Sequence, residues 1–405
     1  MTKAIVFSRK PARFAAAAVA GRVVPGGGAV VGPLKLTDVD ELDRPTDEWV
    51  RFRPRLAGIC GSDLATIDGR SSQYFEPIVS FPFTPGHEVV GELDDGSRAV
   101  LVPVLHCVIR GVDPICPSCA TGHTHHCERI AFGHLDPALQ SGFCRETGGG
   151  WSTAMVAHPD QLVAVPDAMS DEAAVLIEPT ACAVHAAHAI RASRAGADGT
   201  VAIIGAGTLG LTTLAALRHL DGHSVPGTEC PRTVIATAKH PEQKRLATSL
   251  GATRAVSPSE LPRAVRSITA SLVMASDDHT AGAAAGQLTG GVPAVVDCVG
   301  SGESLAQALK VVAPGGDVLV VGMPGHTSID LTPLWHRETG LRGCYAYTRD
   351  DFATALDVVR DARLERLLSA TYPLDRHREA IAHAAAAGSR GAVKVAFDLR
   401  NEKHR

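Results

Sequence analysis

The sequence predicts an α/β protein in which a parallel sheet with alternating helices is inserted between two parts of a mainly β domain. The chain has 405 residues, more than one hydrophobic core normally serves, so we expect two domains. After Pro166, short apolar runs alternate with helical stretches, as in a parallel α/β sheet. Because the last segment returns to mixed character, we divide the chain into residues 1–170, 171–340 and 341–405.

The first segment is rich in glycine, proline and short runs typical of β-strands. Such runs occur at Val23–Val24, Val30–Val31, Trp49–Phe52, Val89–Leu93 and Ala99–Val104. The last two are bounded by turn residues, which strengthens the assignment. This pattern predicts an irregular, mainly β domain.

The second and third segments carry the alternation. Helix formers dominate Asp171–Ala192, with Ser170 as the expected N-cap, and helices are also predicted at Leu209–Leu220 and Asp351–Asp361. Strands are predicted at Val201–Ile204, Val234–Thr237, Ala294–Asp297, Val318–Val321 and Val393–Leu399. The polar stretch Asp221–Arg232 contains glycine and proline and predicts a surface loop.

Composition narrows the class of protein. The formal net charge is -4 with 20% charged residues, which gives no sign of a nucleic-acid or membrane partner held by charge. No apolar run reaches the roughly 18 residues of a membrane span, so we expect a cytoplasmic protein. Four of the ten cysteines fall between positions 107 and 127, and such clustering favours metal binding over disulfides.

A glycine loop follows the predicted strand Val201–Ile204. Gly205, Gly207 and Gly210 form a G-x-G-x-x-G motif at the start of a helix, with Thr208 and Leu209 between them. The first glycine permits a tight turn, the second lets the backbone approach a pyrophosphate, and the third lets helix and strand pack closely. In this context the motif predicts a dinucleotide-binding Rossmann domain, since the helix N-terminus favours phosphate.

The next predicted strand indicates which dinucleotide is bound. An acid that binds the ribose 2′-hydroxyl is expected after this strand, but the position holds Ala238. Lys239, His240 and Arg245 follow and suit a 2′-phosphate, so we expect NADP to be preferred, with NAD possible. If the strand were shifted, Glu242 would be the missing acid.

Three separate positions form a plausible catalytic zinc set. Cys60 and His87 lie 27 residues apart, and Glu178 is a third candidate. A thiolate, an imidazole and a carboxylate can hold zinc with one position open for substrate, where the metal acts as a Lewis acid on an alcohol oxygen. Each residue alone is weak evidence, and the prediction depends on the combination.

The cysteine cluster predicts a second, structural zinc site. Cys107, Cys116, Cys119 and Cys127 contain a C-x2-C pair with further cysteines nearby. Four thiolates with no open position are typical of structural zinc. Histidines at positions 123, 125 and 126 lie in the same loop and are weaker candidates.

Taken together, these motifs resemble the zinc-containing medium-chain alcohol dehydrogenases. The motifs occur in that family's order and approximate spacing over nearly the whole chain: Gly58–Asp63, Pro85–Glu88, the cysteine cluster, Glu178–Pro179, Gly205–Gly210 and Val296–Gly300. The Glu-Pro element is most similar to the polyol, threonine and sugar dehydrogenase branch. The resemblance implies a GroES-like catalytic domain carrying an inserted Rossmann domain. It also implies hydride transfer between an alcohol, polyol or sugar carbon and NAD(P).

The resemblance also assigns roles. It makes Cys60 and His87 catalytic zinc ligands, with Glu88 and Glu178 as the acids of that site, either of which can bind zinc directly or through water. Ser62 matches the hydroxyl that carries the substrate proton outward. Val299 and Gly322 are expected near the cofactor. Family members usually assemble as homodimers or homotetramers through the nucleotide-binding domain, and Val318–Val321 is the candidate segment for this contact.

The sequence departs from the family pattern at three positions. The first cysteine of the metal lobe is replaced by Asp113, so either Asp113 is an oxygen ligand or Cys107 reaches in from a longer loop, and we favour Cys107. Ala65 stands where a histidine often follows Ser62, and Ala238 replaces the acid of the ribose site. The rival functions are a zinc-free quinone or enoyl reductase on the same fold and a non-catalytic nucleotide-binding scaffold.

Overall fold

The computed structural model describes residues 1–196, 199–222, 232–274, 286–323 and 325–402. These residues form two compact units. The first comprises Met1–Pro179 and Tyr347–Arg405, and the second comprises Thr180–Ala346. The inserted arrangement predicted from the sequence is therefore present. In chain order, the second, α/β unit lies between the two parts of the first unit.

The first part of the first unit is mainly β with short helices. Its elements are β1 Thr2–Phe7, α1 Pro11–Val23, α2 Gly28–Val31, β2 Leu34–Val39, β3 Val50–Gly58, α3 Gly61–Ile67, β4 Val89–Glu92, β5 Arg98–Leu101, α4 Pro117–Ala120, β6 Met155–Ala157, β7 Leu162–Ala164 and α5 Asp171–Ala174. Short 3-10 helices lie at Gln73–Ile78, Thr124–His126 and Pro159–Gln161.

The second unit alternates strands and helices. Helix α6 Ile177–Arg191 leads into it, and its other elements are β8 Val201–Ile204, α7 Thr208–Leu220, β9 Val234–Thr237, α8 Pro241–Ser249, β10 Arg254–Val256, α9 Leu261–Thr269, β11 Val273–Met274, β12 Gln287–Leu288, β13 Val292–Asp297, α10 Gly302–Val311, β14 Val312–Val320, α11 Thr332–His336 and β15 Gly340–Gly343. A 3-10 helix covers Pro258–Glu260.

The chain then returns to the first unit. This final part contains α12 Arg349–Asp361, β16 Leu368–Tyr372, α13 His377–Ala385 and β17 Lys394–Asp398, with 3-10 helices at Leu364–Leu367, Leu374–Arg376 and Gly388–Arg390. Strand β17 pairs antiparallel with β3, with Ala396 opposite Gly58. The returning strand thus lies beside the strand that leads to Cys60.

The sheet of the second unit is fully parallel, with the order β10-β9-β8-β13-β14-β15. Counted along this sheet, that is the 3-2-1-4-5-6 order of a dinucleotide-binding fold, in which ligands bind at the carboxyl ends of the central strands. Strands β8 and β13 are buried apolar runs, as expected where helices cover both faces of a sheet. The Rossmann prediction is confirmed.

The sheet of the first unit has the order β16-β17-β3-β4-β5-β7, with β6 paired to β3. Strands β3 and β4 are antiparallel, with Ala57 opposite Val89. Consequently the end of β3 and the start of β4 lie side by side. Cys60 follows the first of these points and His87 precedes the second.

Two predicted β-type runs are wrong. Val23 ends helix α1, and Val30 and Val31 lie in helix α2. The preceding run of four alanines is strongly helix-forming, and Pro11 suits the first turn. The predicted helix Asp171–Ala192 is interrupted between α5 and α6, although Ser170 caps α5 as expected.

The polar loop predicted at Asp221–Arg232 falls mostly outside the described residues, and only its ends can be placed. Arg232 Nε donates to Asp221 Oδ2 at 2.6 Å, and both side chains are buried. Among the described residues, no helix has both the length and the apolar character needed to cross a membrane.

Candidate metal centres and nucleotide-binding loop

Cys60 occupies the N-cap of helix α3. The Cys60 amide donates to Asp63 Oδ2 at 2.9 Å, which forms a capping box with the first turn of the helix. Ser62 lies in the same turn. Because β3 ends two residues earlier, the sheet and the cap together orient the Cys60 thiol.

His87 is buried between α3 and an aromatic residue. Its Nδ1 lies 3.5 Å from Asp63 Oδ1, its Nε2 lies 3.5 Å from Ser62 Oγ, and its ring centre is 6.0 Å from that of Phe143. Burial opposes a charge on the imidazole, but Asp63 raises the pKa of His87 well above its usual value. A carboxylate behind one ring nitrogen is the arrangement that orients a metal-binding histidine.

Glu88 forms a fully buried ion pair with Lys394 of β17. The Lys394 ammonium also donates to the carbonyl oxygen of Ile59 at 3.2 Å. Burial by itself disfavours the charged amine, but Glu88 and Cys60 raise the pKa of Lys394 above its usual value. Gly58 makes room for the pair, since a Cβ there would lie 2.0 Å from Glu88 Oε2.

Glu178 lies in the first turn of α6 and is also buried. Its Oε1 accepts a hydrogen bond from the Tyr347 hydroxyl at 3.0 Å. Burial raises the pKa of Glu178 to about 7, and Glu88 contributes in the same direction while His87 opposes the shift. Glu178 therefore lies close enough to His87 and Glu88 to interact with their charges.

The donor atoms of Cys60, His87 and Glu88 all lie within 4.8 Å of one another. Glu178 is not part of this group, so the two candidate glutamates are not equivalent. One thiolate, one imidazole and one carboxylate are a donor set that zinc accepts in catalytic sites, with a position left for substrate. The residues therefore fit the metal that the sequence predicts.

The four clustered cysteines converge in the same way. Sγ atoms of Cys107, Cys116, Cys119 and Cys127 lie within 4.8 Å of one another, and those of Cys107 and Cys127 are 3.7 Å apart. Asp113 is exposed and outside this group. The histidines at 123, 125 and 126 stack among themselves and are also outside it. The geometry favours Cys107 over Asp113 as the first ligand.

Backbone amides support the sulfur atoms of this cluster. Cys116 N donates to Cys107 Sγ at 3.3 Å, and Glu128 N donates to Cys116 Sγ at 3.5 Å. Although burial opposes ionisation, the amides of Glu128 and Cys119 help to lower the pKa of Cys116 to about 7. Amides directed at sulfur stabilise thiolate, the form that binds metal.

The glycine loop has the geometry that its sequence predicts. Gly205 has a φ of +95°, and its amide donates to Thr237 Oγ1 at 2.9 Å, which links the ends of β8 and β9. A Cβ at Gly210 would lie 1.7 Å from the Gly205 carbonyl oxygen, whereas one at Gly207 would meet open space. The open space at Gly207, the N-cap of α7, leaves the helix N-terminus accessible to a phosphate.

Two further predicted cofactor residues adjoin this loop. The side chain of Val299 lies 2.6 Å from the Cβ position of Gly205, and Gly322 packs against the backbone of Val299 and Cys298. Thr208 and Leu209 form the first turn of α7. All of these residues follow the carboxyl ends of β8, β13 and β14.

No Asp or Glu lies on β9 or directly after it. Ala238 is buried directly after it, Lys239 is exposed, and His240 occupies the N-cap position of α8. Arg245 is paired with Glu242, with hydrogen bonds of 2.8 and 2.6 Å, so its charge is already compensated. Glu242 lies in α8 rather than after the strand, which removes the shifted alignment as an explanation.

Sequence reasoning missed three residues of the first site. Asp63 belongs to the Gly58–Asp63 motif, which assigns it no role, but its position three residues after Cys60 places its carboxylate at the Cys60 amide. Lys394 and Tyr347 reach the site from the C-terminal part of the chain. No local pattern around either residue indicates such a contact.

Comparison with known proteins identifies the family. Residues 46–167 match the alcohol dehydrogenase GroES-like domain, and residues 227–361 match the zinc-binding dehydrogenase domain. The L-idonate 5-dehydrogenase of Vitis vinifera is 26% identical over 86% of this chain and 88% of that protein. The L-galactonate-5-dehydrogenase of Escherichia coli K12 is 26% identical over 82% of this chain and 87% of that protein.

Solved structures agree on the fold. A Sinorhizobium meliloti 1021 protein described as a zinc-binding dehydrogenase and bound to NADP has a TM-score of 0.68, with 24% identity over 98% of this chain and 99% of its own. Galactitol-1-phosphate dehydrogenase of Escherichia coli has a TM-score of 0.68, with 21% identity over 98% and 99% of the two chains.

Fold, metal centre and glycine loop together define a zinc- and NAD(P)-dependent dehydrogenase. The chain belongs to the zinc-containing medium-chain alcohol dehydrogenase family, on the side of its polyol and sugar dehydrogenases. A zinc-free quinone or enoyl reductase on the same fold would need neither group of metal donors.

The cysteine cluster yields the first testable prediction. Replacing Cys107 by Ser removes one of four converging thiolates, so zinc per chain should fall by about one and the thermal midpoint should drop, because metal binding contributes to folding. Asp113→Ala is the matched control and should change neither quantity. Zinc content measured by elemental analysis and melting followed by circular dichroism test this; loss of zinc in Asp113→Ala but not in Cys107→Ser would contradict it.

Proposed function

We propose that this enzyme oxidises a secondary hydroxyl of a sugar alcohol or sugar acid with NADP, using zinc held by Cys60, His87 and Glu88. The observation that carries the proposal is the convergence of these three donors within 4.8 Å in a buried site. Zinc would supply Lewis acidity toward the alcohol oxygen, and NADP would accept the hydride. The remaining chemistry falls to the side chains around them.

Asp63 and Ser62 have separate tasks in this proposal. Asp63 Oδ1 lies 3.5 Å from His87 Nδ1, which leaves Nε2 on the side of Ser62. Ser62 Oγ lies 3.5 Å from His87 Nε2 and would accept the substrate proton as it releases its own hydroxyl proton toward solvent. Ala65 has no group that could carry the proton further. The next hydroxyl along α3 belongs to Thr66, and its Oγ1 lies 2.8 Å from Ser71 Oγ.

Glu88 and Glu178 are assigned different roles. Glu88 lies within reach of the metal, and Lys394 offsets part of its charge. Glu178 lies outside the donor group and is bound to Tyr347, so it would act through a water molecule or the substrate. Its pKa of about 7 would let it hold or release a proton near neutral pH.

The second prediction separates the two glutamates. Glu88→Gln should lose catalytic zinc and turnover to the level of Cys60→Ala, because both changes remove a donor of the group. Glu178→Gln should keep the full zinc content but turn over more slowly, with its pH profile changed near neutrality. NADP binding, measured by fluorescence titration, serves as the folding control and should persist in all three variants. Zinc loss in Glu178→Gln with retention in Glu88→Gln would reverse the assignment.

The substrate class is inferred from relatives. Curated relatives that match most of the chain are named for idonate, galactonate and sorbitol, which are all polyhydroxylated. A zinc site flanked by two buried carboxylates and a tyrosine hydroxyl also offers hydrogen-bond partners to a substrate with several hydroxyl groups.

The charges at the end of β9 favour NADP. A 2′-phosphate at the end of β9 would meet exposed Lys239 and no acid on the strand. Arg245 contributes less than its position suggests, because Glu242 already binds it. Exposure and salt reduce the gain, so we expect a preference and not exclusivity.

The third prediction tests activity and cofactor together. In a panel of polyols and sugar acids, kcat/KM should be higher with NADP than with NAD, and Lys239→Ala should lower that ratio by about tenfold. Arg245→Ala should lower it less, since the Arg245 guanidinium is already held by Glu242. A wild type that prefers NAD would contradict the cofactor proposal, and no oxidation of any alcohol in the panel would contradict the activity.

We expect a cytoplasmic homodimer or homotetramer that contacts its partner through the sheet edge at β14–β15, as the family resemblance suggests. Strand β15 is the last strand of the parallel sheet and is partly exposed. Light scattering at working concentration should give a dimer or tetramer mass, and a monomer mass would contradict this.

A further inference from the structure

The connection between β1 and β2 contains two helices where a short turn would suffice. The strands pair antiparallel from Phe7 opposite Leu34, a geometry that two to five residues can close. Instead, α1 and α2 occupy residues 11–31, which we call the valine hairpin. The hairpin precedes residues 46–167, the part that matches the GroES-like domain.

The inner side of the valine hairpin is packed tightly on the end of α3. Asp68, buried just after α3, accepts hydrogen bonds from the amides of Gly26 at 2.9 Å and Gly28 at 3.1 Å. A Cβ at Gly28 would lie 2.0 Å from the carbonyl oxygen of Ile67, and one at Gly21 would lie 2.6 Å from Asp68 Cβ. The hairpin is therefore held in one position on the first unit.

The outer side of the valine hairpin is apolar and exposed. Residues 12, 16, 19 and 23 follow the i, i+4, i+7, i+11 pattern of one helix face, and all four are Ala or Val. Val19 is 65% exposed, Val23 77% and Val24 58%, and Val30 and Val31 add to the same segment at 61% and 41%. A surface helix normally presents polar residues on this side, so an apolar outer face indicates a partner.

The charge of the segment indicates which partner. Residues 9–37 contain Arg9, Lys10, Arg13, Arg22 and Lys35 and no Asp or Glu. Arg9 is paired with Glu76, but no ion pair of Lys10, Arg13 or Arg22 is found in the part of the chain that the structure describes. By helical spacing, Arg13 and Arg22 flank the apolar stripe on opposite sides.

Neighbouring elements do not cancel this charge. Asp68 is buried against the glycine amides, and Glu379 of α13, which packs on α2, is bound to Arg376. The formal charge of -4 for the whole chain therefore hides a local basic surface.

We propose that the valine hairpin docks this dehydrogenase on an anionic phospholipid surface, with the valines in the interface and Lys10, Arg13 and Arg22 on the headgroups. An apolar stripe flanked by basic residues is the pattern of helices that lie in a membrane interface. A second copy of the chain fits less well, because a two-fold contact would place the same basic side chains against each other.

Vesicle co-sedimentation of the enzyme tests this proposal. The protein should pellet with vesicles containing phosphatidylglycerol, pellet weakly with phosphatidylcholine alone, and be released by salt. Arg13→Glu with Arg22→Glu should lower binding to the anionic vesicles by about tenfold or more. Val19→Ser with Val23→Ser should also weaken it, and neither pair should change kcat/KM in solution.

Matched controls are available on the second unit. Arg263→Glu with Arg266→Glu reverses two exposed charges on α9, and Leu331→Ser with Trp335→Ser removes an exposed i, i+4 apolar pair. Both controls should bind vesicles as the wild type does. The proposal would be overturned if the wild type did not bind anionic vesicles, or if the hairpin variants bound them as well as the wild type does. Loss of oligomers in Val19→Ser with Val23→Ser, without vesicle binding by the wild type, would instead assign the face to a second copy.

Discussion

The catalytic unit depends on one buried ion pair between Glu88 and Lys394. The lysine comes from strand β17 and the glutamate from the turn that precedes β4, and both are withdrawn from solvent. Burying two charges is costly unless each satisfies the other, and removing one partner of such a pair costs about 3–5 kcal/mol. The pair therefore ties the returning C-terminal strand to the strands that carry the metal donors. Gly58 is part of the same constraint, because any side chain there would displace the carboxylate.

This pair also determines how negative charge is distributed around the metal donors. Cys60 and the three buried carboxyl groups of Asp63, Glu88 and Glu178 lie close together, with Lys394 as the cation on β17. The three carboxyl groups each have a partner: Asp63 lies against His87, Glu88 is paired with Lys394, and Glu178 accepts a hydrogen bond from the Tyr347 hydroxyl. The donor atoms of Cys60, His87 and Glu88 converge within 4.8 Å, and together they form a donor set that zinc accepts.

The sequence predicted those features whose geometry is set by residues close together in the chain. The glycine loop, the strands at Val201–Ile204 and Val234–Thr237, and the convergence of four cysteines follow from short motifs whose geometry is set within a few residues. Lys394 and Tyr347 could not be found this way, because more than 300 and nearly 170 positions separate them from the glutamates they contact. The valine runs at 23–24 and 30–31 were wrongly assigned as strands, since β propensity there is overridden by the alanine run and by glycine contacts with α3. Arg245 follows β9 as the sequence indicates, but it forms an ion pair with Glu242. That pairing depends on the register of the helix, where the two residues are three positions apart.

The inserted order of the chain has a consequence for biosynthesis. A ribosome completes the nucleotide-binding unit, which ends at Ala346, before it has made strand β17. Units of this kind generally fold as they emerge. During that interval Glu88 lacks its cation, because Lys394 has not yet been translated, and strand β3 has an unpaired edge that β17 will later cover. The half-finished catalytic unit would thus be the species in need of chaperone protection, while the nascent dinucleotide fold is already closed.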